Sequence, residues 1–224
     1  VAGFTDISGL NAELPSGVTT FNVPTLTTLV DTFDSSIFNV NIVVSNNCTF
    51  APNVYNNERN VYLTGDLSGI KNGYYLYRDA NQWFGFPESL ESAPYMYDVA
   101  GFNEISEPIP NGLTNTVGMF NGCYNLTSIP SDIDLSNCTN ASGMFSYCFN
   151  LTTIDSNFLK TAKPGIDISE MFNYCNNLVE ITGVMDLSNC KYAYSMFEHC
   201  TNLTTVDFNF IKTLKPGAYI VEMF

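Results

Sequence analysis

Hydrophobic and polar residues recur in the same order at a fixed interval along the second half of the chain. Residues 144–158 read MFSYCFNLTTIDSNF, and residues 196–210 read MFEHCTNLTTVDFNF. Residues 121–172 align with residues 173–224 without a gap, at about 30 identities in 52 positions. A period of roughly 20 to 50 residues is typical of solenoids, in which each unit buries its apolar face against its neighbours. The pattern therefore predicts a stack of similar units.

Two segments of each unit predict its local structure. The segment LTTID at 151–155 has β-branched residues among polar ones, which favours a short strand with Ile154 in the core. The segment MFxxC has two adjacent apolar residues and a third one three positions later, which is the spacing of a helical turn. We therefore predict an α/β repeat with one short parallel strand and one short helical or 3₁₀ turn per coil of about 20–27 residues.

One aromatic residue per unit continues this pattern along the chain. It recurs at Phe120, Phe145, Phe172, Phe197 and Phe224, in steps of 25, 27, 25 and 27. The first half extends the series less regularly through Phe21, Tyr55, Tyr77 and Tyr97. If the units stack, neighbouring rings such as Phe145 and Phe172 lie in contact. We predict degenerate coils over residues 1–110, with a capping or docking role, and regular coils over 111–224 that continue beyond residue 224.

The seven cysteines follow the same repeat. Cys123, Cys148, Cys175 and Cys200 each lie three residues after a phenylalanine, and Cys138 and Cys190 each end the string DLSNC. Cysteine at equivalent positions of successive units is typical of a small buried apolar residue. We therefore expect buried thiols in preference to the two alternatives, disulfides and metal ligands, because the count is odd and no CxxC motif occurs.

The chain is strongly acidic, with 22 Asp and Glu against 8 Lys and Arg and a formal net charge of -14. Its few lysines form no basic patch that suits a phosphate backbone, which argues against nucleic acid as a partner. No apolar run of about 18 residues occurs, so we predict no membrane span in this segment. The chain starts at Val1 and stops inside a repeat unit, so we expect a processed product or a fragment, with any signal peptide or anchor outside it.

Few residues suit catalysis. The common nucleotide-binding, zinc-protease and serine-hydrolase motifs are missing from the sequence, and His199 is its one histidine. Carboxylate pairs such as Asp132 and Asp134 occupy turn or repeat positions, where solvated acidic side chains are ordinary. We therefore predict no enzymatic activity, no catalytic residue, no metal site and no cofactor.

Outward positions on the predicted strands form a candidate ligand face, which comprises Thr153, Asp155, Glu180, Thr182, Thr205 and Asp207. Tyr75 and Arg78, in the aromatic stretch GYYLYRDANQWFGF, are further candidates because exposed Tyr and Arg often dominate interface free energies. Tyr77, Trp83 and Phe86 of this stretch are predicted to point inward. Calcium binding by the strand carboxylates is a less favoured alternative, because stacked strands hold side chains in a row about 5 Å apart instead of converging.

The repeated segments of the C-terminal half resemble a known family of repeats. MFSYCFNLTTID and DLSNCTNASGMF are similar to the BspA-type leucine-rich repeats and to related repeats of about 25 residues in mycoplasma surface lipoproteins. The resemblance covers roughly the C-terminal half of the chain. The first 110 residues differ from the family repeat in the length of their units and in residue identity. The resemblance implies a right-handed, leucine-rich-repeat-like solenoid on the cell surface, adhesion as the usual role, and no catalytic residue.

Two functions follow as alternatives. The first is an extracellular, surface-displayed module that binds a host or neighbouring-cell protein or glycan through an extended solenoid face. The second is a structural component of a larger assembly, such as a phage fibre or virion protein, whose partners are neighbouring subunits. The first predicts binding to a cell-surface ligand, and the second predicts copurification with particles.

Overall fold

The computed structural model describes residues 20–29, 40–52 and 61–224. Its strands are β1 (Thr20–Val23), β2 (Val40–Val44), β3 (Val61–Gly65), β4 (Thr153–Asp155), β5 (Ile166–Asp167), β6 (Glu180–Thr182) and β7 (Cys190–Tyr192). Two 3₁₀ helices span Ser156–Thr161 and Phe208–Thr213. Within these ranges every regular element is short and none is an α-helix.

Every strand pair in the described ranges is parallel. β2 lies between β1 and β3, β4 pairs with β6, and β5 pairs with β7. Thr153 is opposite Glu180, which is also bridged to Thr205, so three successive units are joined at one position. Parallel strands require a long crossover connection. The remainder of each unit is that connection, and the chain returns beside itself one repeat later in the same direction.

The aromatic residues of successive units form one continuous stack, called the ring column here: Tyr77, Tyr97, Phe120, Phe145, Phe172, Phe197 and Phe224. The predicted contact between Phe145 and Phe172 is confirmed, with ring centroids 5.7 Å apart and planes 7° from parallel. The column crosses the predicted boundary at residue 110, because Tyr97 stacks on Phe120 at 5.8 Å. Tyr55 and the side chain of Phe21 lie outside the described residues.

The segment that contains MFxxC forms consecutive turns instead of the predicted helical turn. Around Phe145, every second N–H group donates to the carbonyl three residues earlier; these donors belong to Met144, Ser146 and Cys148. The N–H groups between them donate to carbonyls of the next unit; these donors belong to Gly143, Phe145 and Tyr147. A helix would use both sets along its own axis. The apolar spacing fits consecutive turns as well as it fits a helix. The carbonyls of the next unit accept hydrogen bonds from this segment, and these bonds favour the turns.

The predicted strand at LTTID is confirmed as β4, with Ile154 buried and Thr153 exposed. Strands do not form in every unit, however. Between residues 66 and 152 the parallel contacts are isolated bridges, such as the one between Asn115 and Asn140. Proline is part of the reason, because Pro130 lies at the position equivalent to Thr182 of β6 and has no N–H to donate.

One hydrophobic cluster runs through the described units from Val23 to Met223. All seven cysteines are free and buried, which confirms the prediction of buried thiols. Four of them also make a contact that the sequence did not predict. The Sγ atoms of Cys123, Cys148, Cys175 and Cys200 lie 3.1 to 3.4 Å from the carbonyl oxygen of the ring-column residue one unit earlier. Each thiol therefore links two units as a weak donor.

Candidate functional site

The structure brings the predicted strand residues together on one surface, called the strand face here: Thr153, Asp155, Glu180, Thr182, Thr205 and Asp207. In β4 and β6, Thr153 pairs with Glu180 and Asp155 pairs with Thr182. Thr205 continues the row beyond Glu180. All six side chains are exposed except Asp155, which is half-buried. The face therefore presents hydroxyl and carboxylate groups from three successive units.

Two carboxylates of the strand face have a structural role. Asp155 Oδ1 accepts a hydrogen bond from the Asn157 N–H at 3.0 Å, and Asp207 Oδ1 accepts one from the Asn209 N–H at 2.9 Å. Each aspartate is the N-cap of the 3₁₀ helix that follows it. Among the described residues, no group of three or more His, Cys, Asp or Glu side chains is arranged to hold a metal ion.

Tyr75 and Arg78 lie in an earlier unit and form a separate cluster. Arg78 Nε donates to Asp98 Oδ2 at 3.1 Å, and the guanidinium carbon lies 5.2 Å from the Tyr75 ring centroid. Burial raises the pKa of the Asp98 carboxyl above its ordinary value, although the Arg78 charge opposes this shift. Arg78 therefore compensates a mostly buried charge, and in the described chain no contact joins this cluster to the strand face.

Three other aromatic residues of the stretch pack in or against the core, as predicted. Tyr77 is buried in the ring column, and Trp83 and Phe86 are half-buried against the hydrophobic cluster. The Trp83 ring stacks on Tyr97 with centroids 4.8 Å apart. The Tyr97 hydroxyl donates to the Gly85 carbonyl at 2.7 Å. This loop therefore covers the ring column at its least regular units.

A second aromatic stack, called the surface column here, was not predicted from the sequence. It comprises Tyr147, Tyr174 and His199, each two residues after a ring-column phenylalanine. Tyr147 and Tyr174 stack with centroids 4.7 Å apart, and Tyr174 and His199 stack at 4.1 Å. Tyr147 is 41% exposed, and Phe149 meets its ring edge-on at 6.1 Å. Ring-bearing residues at this position in three successive units are nonetheless a usable indication in the sequence.

The geometry of the surface column limits what it can bind. Its ring faces cover one another, so a ligand meets mainly ring edges instead of open faces. Edge contacts from tyrosine suit apolar and hydrogen-bonding groups of a protein surface more than a sugar ring that needs a free aromatic face. His199 Nε2 lies 3.5 Å from Glu198 Oε1, which places a carboxylate at the end of the column.

Comparison with known families identifies a match over part of the chain. The model of a family described as "Mycoplasma protein of unknown function, DUF285" matches residues 91–209, slightly more than half of the chain. No curated protein and no solved structure matches the chain. Within the described ranges, no helix is both long and apolar enough to cross a membrane.

Proposed function

We propose a function from one premise: the chain belongs to the DUF285 family of mycoplasma proteins. On this premise we propose that it is a non-enzymatic binding module, displayed on the cell surface, that attaches to a protein or glycan of a host or neighbouring cell. We also propose that its fold is a right-handed solenoid of the BspA-type leucine-rich repeat class. The parallel bridges between units and the continuous ring column support this fold.

The surface column is the observation behind the proposed binding function. Its three rings are exposed or half-buried, and each is attached to a backbone whose neighbouring units are joined by hydrogen bonds and by the ring column. Side chains held in this way lose little conformational entropy when a partner binds. Tyrosine is also enriched at the centre of protein interfaces. The surface column therefore favours a protein ligand over a glycan.

The strand face supplies a second, polar contact surface. Glu180 is its carboxylate without a capping role, and Thr153 and Thr205 flank it across three units. A row of this kind provides hydrogen bonds and charge that orient a partner, whereas the surface column supplies apolar contact area.

A cell-binding assay tests the proposal. Beads coated with the chain are expected to retain intact cultured epithelial cells, and beads coated with a Tyr147→Ser, Tyr174→Ser, His199→Ser variant are expected to retain far fewer. Protease treatment of the cells should abolish retention, and glycosidase treatment should not. Antibodies against the chain should label intact producing cells. Failure to bind any cell, together with copurification of the chain with phage or virus particles, would favour the structural alternative instead.

A further inference from the structure

A polar column runs beside the ring column, five residues before each ring. It contains Asn72, Asn115, Asn140 and Asp167, and Oδ1 of each accepts a hydrogen bond at 2.9 to 3.1 Å from the N–H two residues later. This Asx turn stabilises the chain where it enters the consecutive turns. Ser92 lies at the same position, but Pro94 has no N–H to donate.

The last two units have tyrosine where the Asx residue would be. Tyr192 is bridged in parallel to Tyr219, and their rings stack with centroids 5.4 Å apart. A tyrosine side chain does not form the Asx turn. In the described part of the chain, the N–H groups of Tyr194 and Val221 accordingly have no hydrogen-bond partner. These two units therefore lack a local stabilising contact that four earlier units have.

The same change makes the surface apolar. Tyr194 is 42% exposed although the unit that contains Tyr219 and Val221 stacks on its own unit. We call these three residues and Tyr192 the tyrosine patch. In the two preceding units the equivalent positions hold polar residues: Asn140, Ser142, Asp167 and Ser169. An exposed aromatic patch that replaces a stabilising polar column is typical of a surface used for binding.

A small cationic groove adjoins the tyrosine patch. It lies between the two Pro-Gly turns at 164–165 and 216–217, has a volume of about 180 Å³, and is lined by Lys191 and Lys215. Lys191 Nζ lies 5.0 Å from the Tyr192 ring centroid, so the groove and the patch are continuous. Pockets for whole small molecules are typically about 300 to 1,000 Å³. The groove therefore suits a single side chain of a larger partner.

The lysines of the groove are available to an anion. Although acidic residues outnumber basic ones by 22 to 8, neither Lys191 nor Lys215 forms an ion pair within the described ranges. Lys160 and Lys212, in contrast, donate to Asn157 and Asn209 of their own 3₁₀ helices. A polyanion such as a nucleic acid would be repelled by the net charge of -14, whereas one carboxylate among apolar residues would not.

We propose that the tyrosine patch and the lysine groove together bind an acidic, apolar segment of a partner protein. A carboxylate enters the groove between Lys191 and Lys215, and neighbouring apolar side chains lie on Tyr192, Tyr194 and Tyr219. This inference rests on the proposed binding function and identifies a partner chemistry and a contact surface for it.

Fluorescence anisotropy of the full chain with a labelled peptide tests this inference. The probe is a fluorescein-labelled 12-residue peptide with one central glutamate among leucine and serine residues, and the matched probe has glutamine in place of that glutamate. We expect saturable binding of the glutamate peptide, at least about tenfold weaker binding of the glutamine peptide, and weaker binding at high salt.

Two double variants separate the contributions. Tyr192→Asn with Tyr219→Asn should weaken binding at least about tenfold and leave the thermal midpoint unchanged or raised, because asparagine restores the Asx turn. Lys191→Gln with Lys215→Gln should weaken binding and reduce its salt dependence. Lys160→Gln with Lys212→Gln removes the same charge elsewhere and should leave binding unchanged.

Three results would overturn the inference: no binding of the glutamate peptide, equal binding of both peptides, or unchanged binding by the tyrosine and groove-lysine variants. Preference for a sulfated oligosaccharide over the peptide would also overturn the assignment of a protein partner. If coated beads retain cells and the Tyr192→Asn, Tyr219→Asn variant retains them equally, this inference fails and the proposed function stands. If beads coated with the unchanged chain retain no cells, the proposed function fails, whatever the result of the peptide assay.

Discussion

At the residue scale, each complete unit from Tyr77 to Phe197 has two left-handed backbone positions, two residues before and two residues after its ring-column residue. Around Phe145 these are Gly143 and Tyr147, with φ of 61° and 59°. The third residue of a type II turn requires such a φ, which costs an L-residue about 1 to 2 kcal/mol. Even β-branched Val99 has a φ of 59°. The stacked neighbours therefore impose this conformation against local preference.

Two glycine substitutions separate backbone strain from steric contact. In the Gly143→Ala variant the new Cβ is 3.8 Å from Ser146 Cβ, so we expect a loss of about 1 to 2 kcal/mol from the backbone alone. In the Gly118→Ala variant the Cβ also collides with the Tyr95 ring, so the loss should be larger. Urea unfolding measures both, and equal losses would show that the Tyr95 contact is unimportant.

The buried thiols predict a loss of stability in alkaline solution. Burial raises the pKa of Cys190 and Cys200 to about 12 and that of Cys148 well above its ordinary value of 9.0. Above about pH 9 the unfolded thiols ionise while the folded ones stay protonated. Each such thiol then lowers the free energy of unfolding by up to about 1.4 kcal/mol per pH unit, from pH 9 towards the folded pKa.

Urea unfolding between pH 8 and pH 10.5 measures this effect. The Cys148→Ala variant is the matched comparison. Its free energy of unfolding should fall less steeply with pH than that of the wild type, because it has one buried thiol fewer. Parallel curves for the two proteins would contradict a raised pKa at Cys148.

At the scale of elements, the strand face and the 3₁₀ helices share residues. Asp155 ends β4 and caps the helix Ser156–Thr161, and Ser156 Oγ donates to the Thr182 carbonyl of the next unit at 2.9 Å. A side chain that the sequence suggests as a ligand group therefore first serves to end the strand and start the helix.

The cap role of Asp155 predicts a specific pattern of variants. Asp155→Ala should lower the free energy of unfolding by about 1 kcal/mol, and Asp155→Asn should lower it much less, because asparagine also accepts at an N-cap. Thr153→Ala is the control, since it changes an exposed neighbour on the same strand. Urea unfolding compares the three, and an equal loss for Asp155→Asn and Asp155→Ala would argue for a role of the charge instead of the cap.

At the scale of the whole molecule, the ring column connects units that are far apart in sequence. Phe145 is fully buried and stacks on Phe120 at 5.4 Å and on Phe172 at 5.7 Å. Phe224 is 50% exposed and stacks on Phe197 at 5.6 Å. Each unit buries its apolar side chains only against its neighbours, so stability depends on their contacts.

The two aromatic stacks predict different costs for a buried and an exposed ring. Phe145→Ala should destabilise the protein by about 3 to 5 kcal/mol, whereas Tyr147→Ala should cost much less because this residue is already 41% exposed. Trp83 is the single tryptophan and lies against Tyr97 of the adjacent unit, so its fluorescence reports on these two units, whereas circular dichroism reports on all of them. Coincident unfolding by Trp83 fluorescence and circular dichroism is expected, and separate transitions would show that the units unfold independently.

Much of the interior was predictable from the sequence. Phe145, Phe172 and Cys148 recur at fixed spacing, and equivalent positions of stacked units must lie above one another. The burial of Ile154 follows from its place among polar residues in a strand. The Asp155 cap and the tyrosine patch were not predictable in this way, because each depends on the backbone conformation between the apolar positions. For the surface column the sequence indicated the recurring rings but not their stacking.

By itself, the sequence determined the repeat, the ring column and the buried thiols, because the period of the apolar residues decides which side chains meet. Only the tertiary structure decided that the segment around Phe145 forms left-handed turns and that Tyr147 stacks on Tyr174 at the surface. The physical reason is that alternate N–H groups of this segment donate to carbonyls of the next unit, some 26 residues away. Hydrophobic periodicity contains no information about those partners.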